Sequence, residues 1–569
     1  MVDTDEAELP FFRQDDTLNA LADLAEKKHI VIYCGAGVSI DRTGVNWRQL
    51  VKEVFDQART GRVSKADEIA ALEHLIADVD DPRHAASILI ESLKMPEHDE
   101  DTFLASKLHH VLYEKVFWSR GYMLRNLVQF AIAAASAGRV VEIITTNYDA
   151  FIEFEFARQY KDLADVDEDT RSGLPEVKRF MPKGRPKIVE SAGKSAGEGR
   201  IELRYPHGRV DSRGSSDGPL VLSEASYALT RKATEKLLLD AFSGEEKGVL
   251  IVGASLTDEP LITSLALRKD VGQARYALLT VPGAVEKLFT DGRPVSAKAK
   301  TVASTLRLRG QHIGVNILNP MSHYQSSQFL EELRVSISAQ DKTGSRDYYR
   351  DPANGISYSA RLESWARSWE ARDQTKDPDY ATEQLKETLD KYVRLELKPK
   401  ASKGEKFRAE LWVRKNPRTD NRVLTLWANS TGPFLDTTVY RTESIIRTSA
   451  NASVQAFTEG RPILRGIESL KFPAHASRWQ TFLSMPIFVS VPIEIGAIQE
   501  SAYIPAGVLT VTSDHGQAGS TNKKQTVLQE SLDVTIYEQL KYHLIGAGLR
   551  ILSVTDEVIE LASEEDASN

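Results

Sequence analysis

Four short stretches of this chain combine glycines, small hydroxyls, amides and ionisable side chains in patterns that could do chemistry. The first, Gly35-Ala36-Gly37-Val38-Ser39, follows the apolar run HIVIYC. Glycines at a strand-to-helix turn let backbone N–H groups approach a pyrophosphate, and the next helix N-terminus favours the anion. A tight turn with no ligand uses the same residues. The second, Thr145-Thr146-Asn147-Tyr148-Asp149, follows VVEII and puts an amide and a carboxylate where parallel sheets bind ligands. Asn147 and Asp149 would serve equally as caps of the following helix. The third, Tyr205-Pro206-His207-Gly208, offers a histidine at a strand end. It could contact a ribose hydroxyl and act as a general base, although single histidines more often have structural roles. The fourth, Gly253-Ala254-Ser255-Leu256-Thr257-Asp258, suits a backbone cradle for a nucleotide or its ribose, or a plain turn.

These stretches need a scaffold that delivers them to one edge. Residues 29–34, 140–145, 201–205, 249–253, 276–280 and 314–318 are short, mostly apolar runs separated by helical periods. They predict an α/β domain with a doubly wound, Rossmann-type parallel sheet buried on both faces. Residues 15–28 predict a helix capped by Asp15 or Asp16, with Leu18, Leu21 and Leu24 on one face. Residues 47–118 keep a helical period: Trp47, Leu50, Val51, Val54 and Phe55 form one stripe, and Ile69, Leu72, Leu75 and Ile76 another. This predicts a helical insertion. Residues 160–200 are charged and contain Gly and Pro, which predicts a mobile surface excursion. Within it, the basic residues 178–187 read as a solvated loop rather than a nucleic-acid site.

Composition narrows the classes. At 569 residues the chain exceeds one core, and two or three domains are expected. A net charge of −9 argues against a chain-wide grip on nucleic acid or an anionic membrane. The N-terminus is acidic where a secretory signal would be basic, and no apolar run reaches a membrane span, so a cytoplasmic location is expected. Cys34 is the only cysteine, which excludes an intramolecular disulfide and a multi-cysteine metal site. His109 and His110 share a helix without an acidic partner at ligand spacing, and His74 and His84 are ten apart, so no metal site is expected.

In their order, the GAG-x-S loop, the T-x-N-x-D segment, the His-Gly and the late G-x-S loop resemble the sirtuin superfamily signature across about residues 15–335. The TTNYD segment, and Trp47 after the GAGVS loop, look like the bacterial defence-associated branch. The resemblance implies that NAD⁺ is bound. Asn147 would orient the ribose or an attacking water, and His207 would contact ribose hydroxyls and act as base. Asp149 would hold the nicotinamide ribose or amide side, with Thr145 also at the cofactor. Gly35, Ala36, Gly37 and Ser39 would cradle the pyrophosphate, and Gly253, Ser255 and Asp258 would lie near the adenosine half. Two departures from the deacylases matter. Their four-cysteine zinc module is missing, and their G-I-P-D-F-R stretch reads here Gly44-Val45-Asn46-Trp47-Arg48. The branch therefore implies NAD⁺ hydrolysis without zinc in abortive-infection antiphage defence. A phage-derived or small-molecule trigger, a homo-oligomer and a partner protein encoded nearby belong to that expectation. The alternatives are a non-catalytic NAD⁺ or ADP-ribose sensor and a zinc-less deacylase.

Beyond the first domain (1–335) the pattern changes. Residues 336–378 read as a linker and 561–569 as an acidic tail. In between, RAELWVRK and RVLTLWAN form a hairpin signal, FLSMPIFVSVPIEI and AGVLTVTSD are strand-like, and VLQESLDVTIYEQLKYHLIGAGLRIL is a closing helix. Residues 379–560 resemble an α+β GAF-like domain, a fold used for binding small molecules or for oligomerisation.

Overall fold

After His29, every residue of HIVIYC is apolar or aromatic, so this strand suits the middle of a sheet covered on both faces. In the computed structural model it is β1 (His29–Cys34), with all but His29 buried. The residues described are 11–59, 81–93, 97–114, 121–164, 174–181, 187–190, 199–267, 274–280, 289–290, 293–294, 297–320, 322–371, 378–393, 404–414, 423–431, 441–445, 449–467, 479–496, 498–516, 524–528 and 534–554. The first unit continues with β2 (Val140–Thr145), β3 (Glu176–Phe180), β4 (Lys187–Glu190) and β5 (Arg200–Arg204). Then come a small ribbon of β6 (Arg209–Val210) and β7 (Ser216–Asp217), followed by β8 (Lys247–Val252) and β9 (Arg275–Leu278). A second ribbon of β10 (Phe289–Thr290) and β11 (Arg293–Pro294) precedes β12 (Asn316–Leu318).

The main sheet has the order β12-β9-β8-β1-β2-β5-β3-β4, and all its pairings are parallel except β3 with β4. From β1 the chain steps one way to β2 and β5 and later returns on the other side as β8, β9 and β12. Such a switch of direction opens a crevice at the carboxyl ends of the strands. One face of the sheet is covered by helices Asp15–Ala25, Tyr122–Ser136 and Phe151–Ala164. The other is covered by helices Glu224–Ala241 and Glu259–Ala266. Helices Trp47–Arg59, Pro82–Leu93 and Glu97–His109 enclose a separate apolar cluster, the expected insertion, and Tyr148 and Leu222 join that cluster from the α/β unit. The stripe at Ile69, Leu72, Leu75 and Ile76, like His74, lies outside the described residues.

Residues 160–200 differ from expectation. Helix Phe151–Ala164 runs into this stretch, and β3 and β4 add two strands to the sheet. The cause is a period of two that its charge disguised: Val177 and Arg179 point inward while Glu176, Lys178 and Phe180 are more open. The buried Arg179 guanidinium is paired through its two terminal nitrogens with Glu153, at 2.9 Å, and Asp217, at 3.0 Å. The supposed basic loop thus begins in β3 and ends in β4.

The stretch read as a linker is also built into the packing. Helix His323–Thr343 passes through residue 336 without a break, and helix Tyr358–Ala371 follows. Trp365 and Trp369, four apart and stacked, are buried on one face of that second helix. Their indole N–H groups donate to the carbonyls of Leu552, at 2.8 Å, and Ile551, at 3.0 Å. The C-terminal sheet consists of β13 (Phe407–Arg414), β14 (Val423–Asn429), β15 (Thr442–Ser444), β16 (Ile463–Gly466), β17 (Thr481–Ile495) and β18 (Ile498–Ser513). It is antiparallel, in the order β15-β14-β13-β18-β17-β16. Helix His323–Thr343 lies between this sheet and helix Tyr122–Ser136, so one apolar core runs from Phe11 to Leu552.

Candidate active site

The strand register levels the motifs. Cys34 pairs with Thr145 on one side and Val252 on the other, and Ile144 pairs with Arg204. Gly35, Thr146, Pro206 and Gly253 therefore leave β1, β2, β5 and β8 at nearly one height. These four strands are adjacent, so the four stretches share one sheet edge.

The glycine loops are packed backbone to backbone. Gly37 N–H donates to the Gly253 carbonyl at 2.9 Å, and Gly35 N–H to the Val252 carbonyl at 3.0 Å. A Cβ on Gly35 would lie 2.6 Å from Gly253 O, and one on Gly37 would lie 2.7 Å from Gly253 Cα. Gly253 itself has φ of +66°, and a Cβ there would sit 2.6 Å from the Val38 nitrogen. Mutual packing thus requires these glycines whether or not a pyrophosphate also approaches them. Beyond them, Leu256 is held at φ 54° with its carbonyl bonded by Arg309 at 2.6 Å. Ser255 is exposed and pairs with Thr257 at 2.6 Å. Asp258 Oδ2 accepts from the buried Tyr33 hydroxyl at 2.8 Å, whereas its Oδ1 is buried without a hydrogen-bond partner. Burial raises the Asp258 carboxyl above the ordinary range.

The second loop reaches back to the first. Asn147 Nδ2 donates to Ser39 Oγ at 3.0 Å, and Ser39 in turn hydrogen-bonds the Asp149 side chain. All three residues are buried. Burial raises the Asp149 carboxyl, and the bond from Ser39 and the charge of Arg42 partly offset this. Asp149 Oδ1 also accepts from Phe151 N at 3.2 Å, so the capping role operates alongside the contact with Ser39. Thr145 Oγ1 is occupied in accepting from Asn147 N at 3.1 Å, which shapes this loop from within.

His207 is buried, and desolvation lowers its pKa to about 4. The imidazole is therefore neutral near pH 7, with a nitrogen lone pair available as an acceptor. Its ring stands edge-on to Tyr227 at 5.0 Å. The Tyr227 ring also receives the Arg83 guanidinium, at 5.4 Å, from the helical insertion. Gly208 has φ of +81° and lies so close to Pro219 that a Cβ would be 2.4 Å from its carbonyl oxygen. Val221 joins the two loops: its N–H donates to the His207 carbonyl at 3.0 Å, and its carbonyl accepts from the Tyr148 hydroxyl. Next to them, Arg209 grips Glu153 through two bonds, of 2.6 and 2.9 Å.

The structure therefore joins Ser39, Asn147 and Asp149 directly, ties His207 to their loop through the backbone, and interlocks Gly35, Gly37 and Gly253. Ala36 opens the short turn Ala36–Val38, and Ser255 stands apart from the contacts that unite the others. Sequence reasoning missed Arg42, Arg83, Tyr113, Glu153, Arg209 and Tyr227. Arg42, Glu153 and Arg209, three, four and two residues past Ser39, Asp149 and His207, had a positional signal, whereas Arg83, Tyr113 and Tyr227 come from other helices. The pair at His109 and His110 needs a correction, because Glu114 lies four residues past His110 and contacts both rings. Even so, no group of three or more His, Cys, Asp or Glu among the described residues could hold a metal ion.

No helix among the described residues is long and apolar enough to cross a membrane. No curated protein matches the chain. Residues 141–290 match the model of the SIR2-like domain, a span that contains all of β2 but Val140, the TTNYD loop, His207 and the residues from Gly253 to Asp258. On that match and the parallel sheet that carries it, this part of the chain is similar to a SIR2-like domain.

Proposed function

We propose that the SIR2-like unit is an NAD⁺ glycohydrolase, cleaving NAD⁺ to nicotinamide and ADP-ribose. The observation that carries this reading is the bonded set Asn147–Ser39–Asp149 beside a buried, neutral His207 at the ends of adjacent strands. In the proposed reaction the bond between the ribose anomeric carbon and the nicotinamide nitrogen breaks, and its electron pair leaves with nicotinamide. The oxygen of a water molecule bonds to that carbon, and the proton it sheds passes by way of His207 to solvent. Asn147 orients the ribose or the water, with its Nδ2 fixed by Ser39. His207, being neutral, accepts a proton from a ribose hydroxyl or from the water as positive charge develops on the sugar. Asp149 flanks the nicotinamide ribose, Gly35 to Ser39 face the pyrophosphate, and the unpartnered Asp258 Oδ1 suits a hydroxyl of the adenosine ribose.

We also propose that residues 379–560 form a GAF-like regulatory domain that holds the activity in check until a phage-derived or small-molecule trigger arrives, in cytoplasmic antiphage defence. The six-stranded antiparallel sheet with its flanking helices supports this fold. Control is supported by the closeness of the C-terminal unit to the first glycine loop: a Cβ built at Gly44, five residues past Ser39, would lie 3.8 Å from Arg461 Nη1.

Incubating the purified chain with NAD⁺ and phage lysate should release nicotinamide and ADP-ribose in equal amounts, and much less of both without the lysate. NAD⁺ left whole under both conditions would overturn the reading. Release of acetyl groups from an acetyl-lysine peptide would favour the deacylase instead.

A further inference from the structure

The helical insertion does more than stand beside the crevice. Its last turn, His110–Glu114, carries Tyr113 between the two catalytic loops. The Tyr113 hydroxyl donates to the Val210 carbonyl at 2.8 Å and accepts from the Ala150 N–H at 2.7 Å. Val210 N–H donates to the Tyr148 carbonyl at 2.7 Å. One phenol thus closes a bracket around residues 148–150, next to Asn147 and Asp149, and residues 207–210, next to His207. Its ring rests edge-on against Phe151 at 5.1 Å, so the hydroxyl is aimed by packing. Trp47, from the first insertion helix, stacks on Tyr148 at 5.7 Å and holds the same loop from the other side.

We propose that Tyr113 is a positioning residue for NAD⁺ cleavage, setting the Asn147–Asp149 loop and the His207 segment at their working separation and making that separation depend on the seat of the helical insertion. This rests on the glycohydrolase reading of the site. Without the hydroxyl, a buried N–H and a buried carbonyl lose their shared partner while the ring still fills its place. The loops are then free to drift, and small misplacements of reacting groups are costly in rate. Binding of the pyrophosphate by the interlocked glycine loops is untouched.

The test compares the full-length parent, Tyr113→Phe and, as a control, Tyr160→Phe, each assayed with phage lysate present. Tyr160 lies on the same helix as Ala150's neighbour Phe151, and its hydroxyl bonds the Pro175 carbonyl away from the site. Tyr113→Phe should lower kcat for nicotinamide release by about 10- to 100-fold, with KM for NAD⁺ within about threefold. Hydrogen exchange should quicken in peptides covering residues 148–150 and 207–210. Tyr160→Phe should keep the parental kcat. Parental kcat in Tyr113→Phe, or an equal loss in Tyr160→Phe, overturns the proposal. If the parent itself releases no nicotinamide with phage lysate present, the glycohydrolase reading falls, and the exchange measurement decides the bracket alone. Faster exchange in both segments upholds it, and unchanged exchange removes it.

Discussion

Asn147 donates to Ser39 through Nδ2, which fixes the amide plane and directs Oδ1 away from Ser39. Replacing Asn147 by Ala removes a group that acts on the reacting sugar. Nicotinamide release should fall by at least about 100-fold with the melting temperature nearly unchanged. Ser39→Ala should cost less, about tenfold, because the amide remains but loses its anchor. If Asn147→Ala hydrolyses NAD⁺ at the parental rate, the site is elsewhere. His207 gives a pH signature. Burial holds its pKa at about 4, below the ordinary 6.5, so the neutral imidazole persists as the pH falls from 8 to 5. The profile of kcat should therefore be flat through 6.5 and decline only as pH nears 4. A limb centred near 6.5 would mean that the essential base is solvated, and so is not His207 as the structure holds it.

The two glycine loops behave as one element, since each fills the space that a side chain on the other would need. Gly253→Ala meets two penalties: a left-handed backbone, costing about 1–2 kcal/mol, and an approach to Val38 N that forces the loops apart, costing about 1–3 kcal/mol. Gly37→Ala meets the second alone, because Gly37 is not left-handed. Thermal unfolding should therefore rank the parent above Gly37→Ala and Gly37→Ala above Gly253→Ala, and both variants should bind NAD⁺ more weakly. Equal melting temperatures for Gly253→Ala and the parent would show that the loops have slack.

Across the molecule, the junction between the units is a buried charged cluster on helix His323–Thr343. Glu332 pairs with Arg361 and accepts from the Tyr349 hydroxyl, and it also accepts from Gln328 Nε2 at 2.7 Å. Gln328 reaches the Tyr503 carbonyl of β18 at 2.9 Å. Removing one charge of a buried pair strands the other, and Glu332→Gln should cost about 3–5 kcal/mol, read by urea denaturation of the full chain. A loss under about 1 kcal/mol would mean that water reaches the pair. The same junction bears on where the chain can be cut. A fragment ending at Ala371 would strip Trp365 and Trp369 of their acceptors on helix Val534–Leu552 and uncover a face of helix His323–Thr343. It should aggregate or melt well below the full chain. Silence or toxicity of such a fragment would therefore report stability as well as control, and Arg461→Ala in the full chain is the cleaner probe of regulation.

Much of the α/β framework was legible in the sequence because its signals are local. β1 and β2 occupy the predicted residues 29–34 and 140–145, and β5 and β8 end one residue short of the predicted 205 and 253. Strand ends in a parallel sheet must lie at one edge, so motif order along the chain already implied a shared crevice. Other features were hidden because their signals are pairwise and distant. Arg179 read as solvated loop because nothing near it in sequence announces Glu153 and Asp217, whose charges let a basic strand enter the sheet. Residues 336–378 read as a linker because charge dominated the text, while Trp365 and Trp369 found their hydrogen-bond acceptors nearly two hundred residues away. His207 shows the division within one residue. Its place after β5 followed from the chain alone, but its neutrality depends on burial against neighbours such as Tyr227 of helix Glu224–Ala241, which only tertiary packing brings to it.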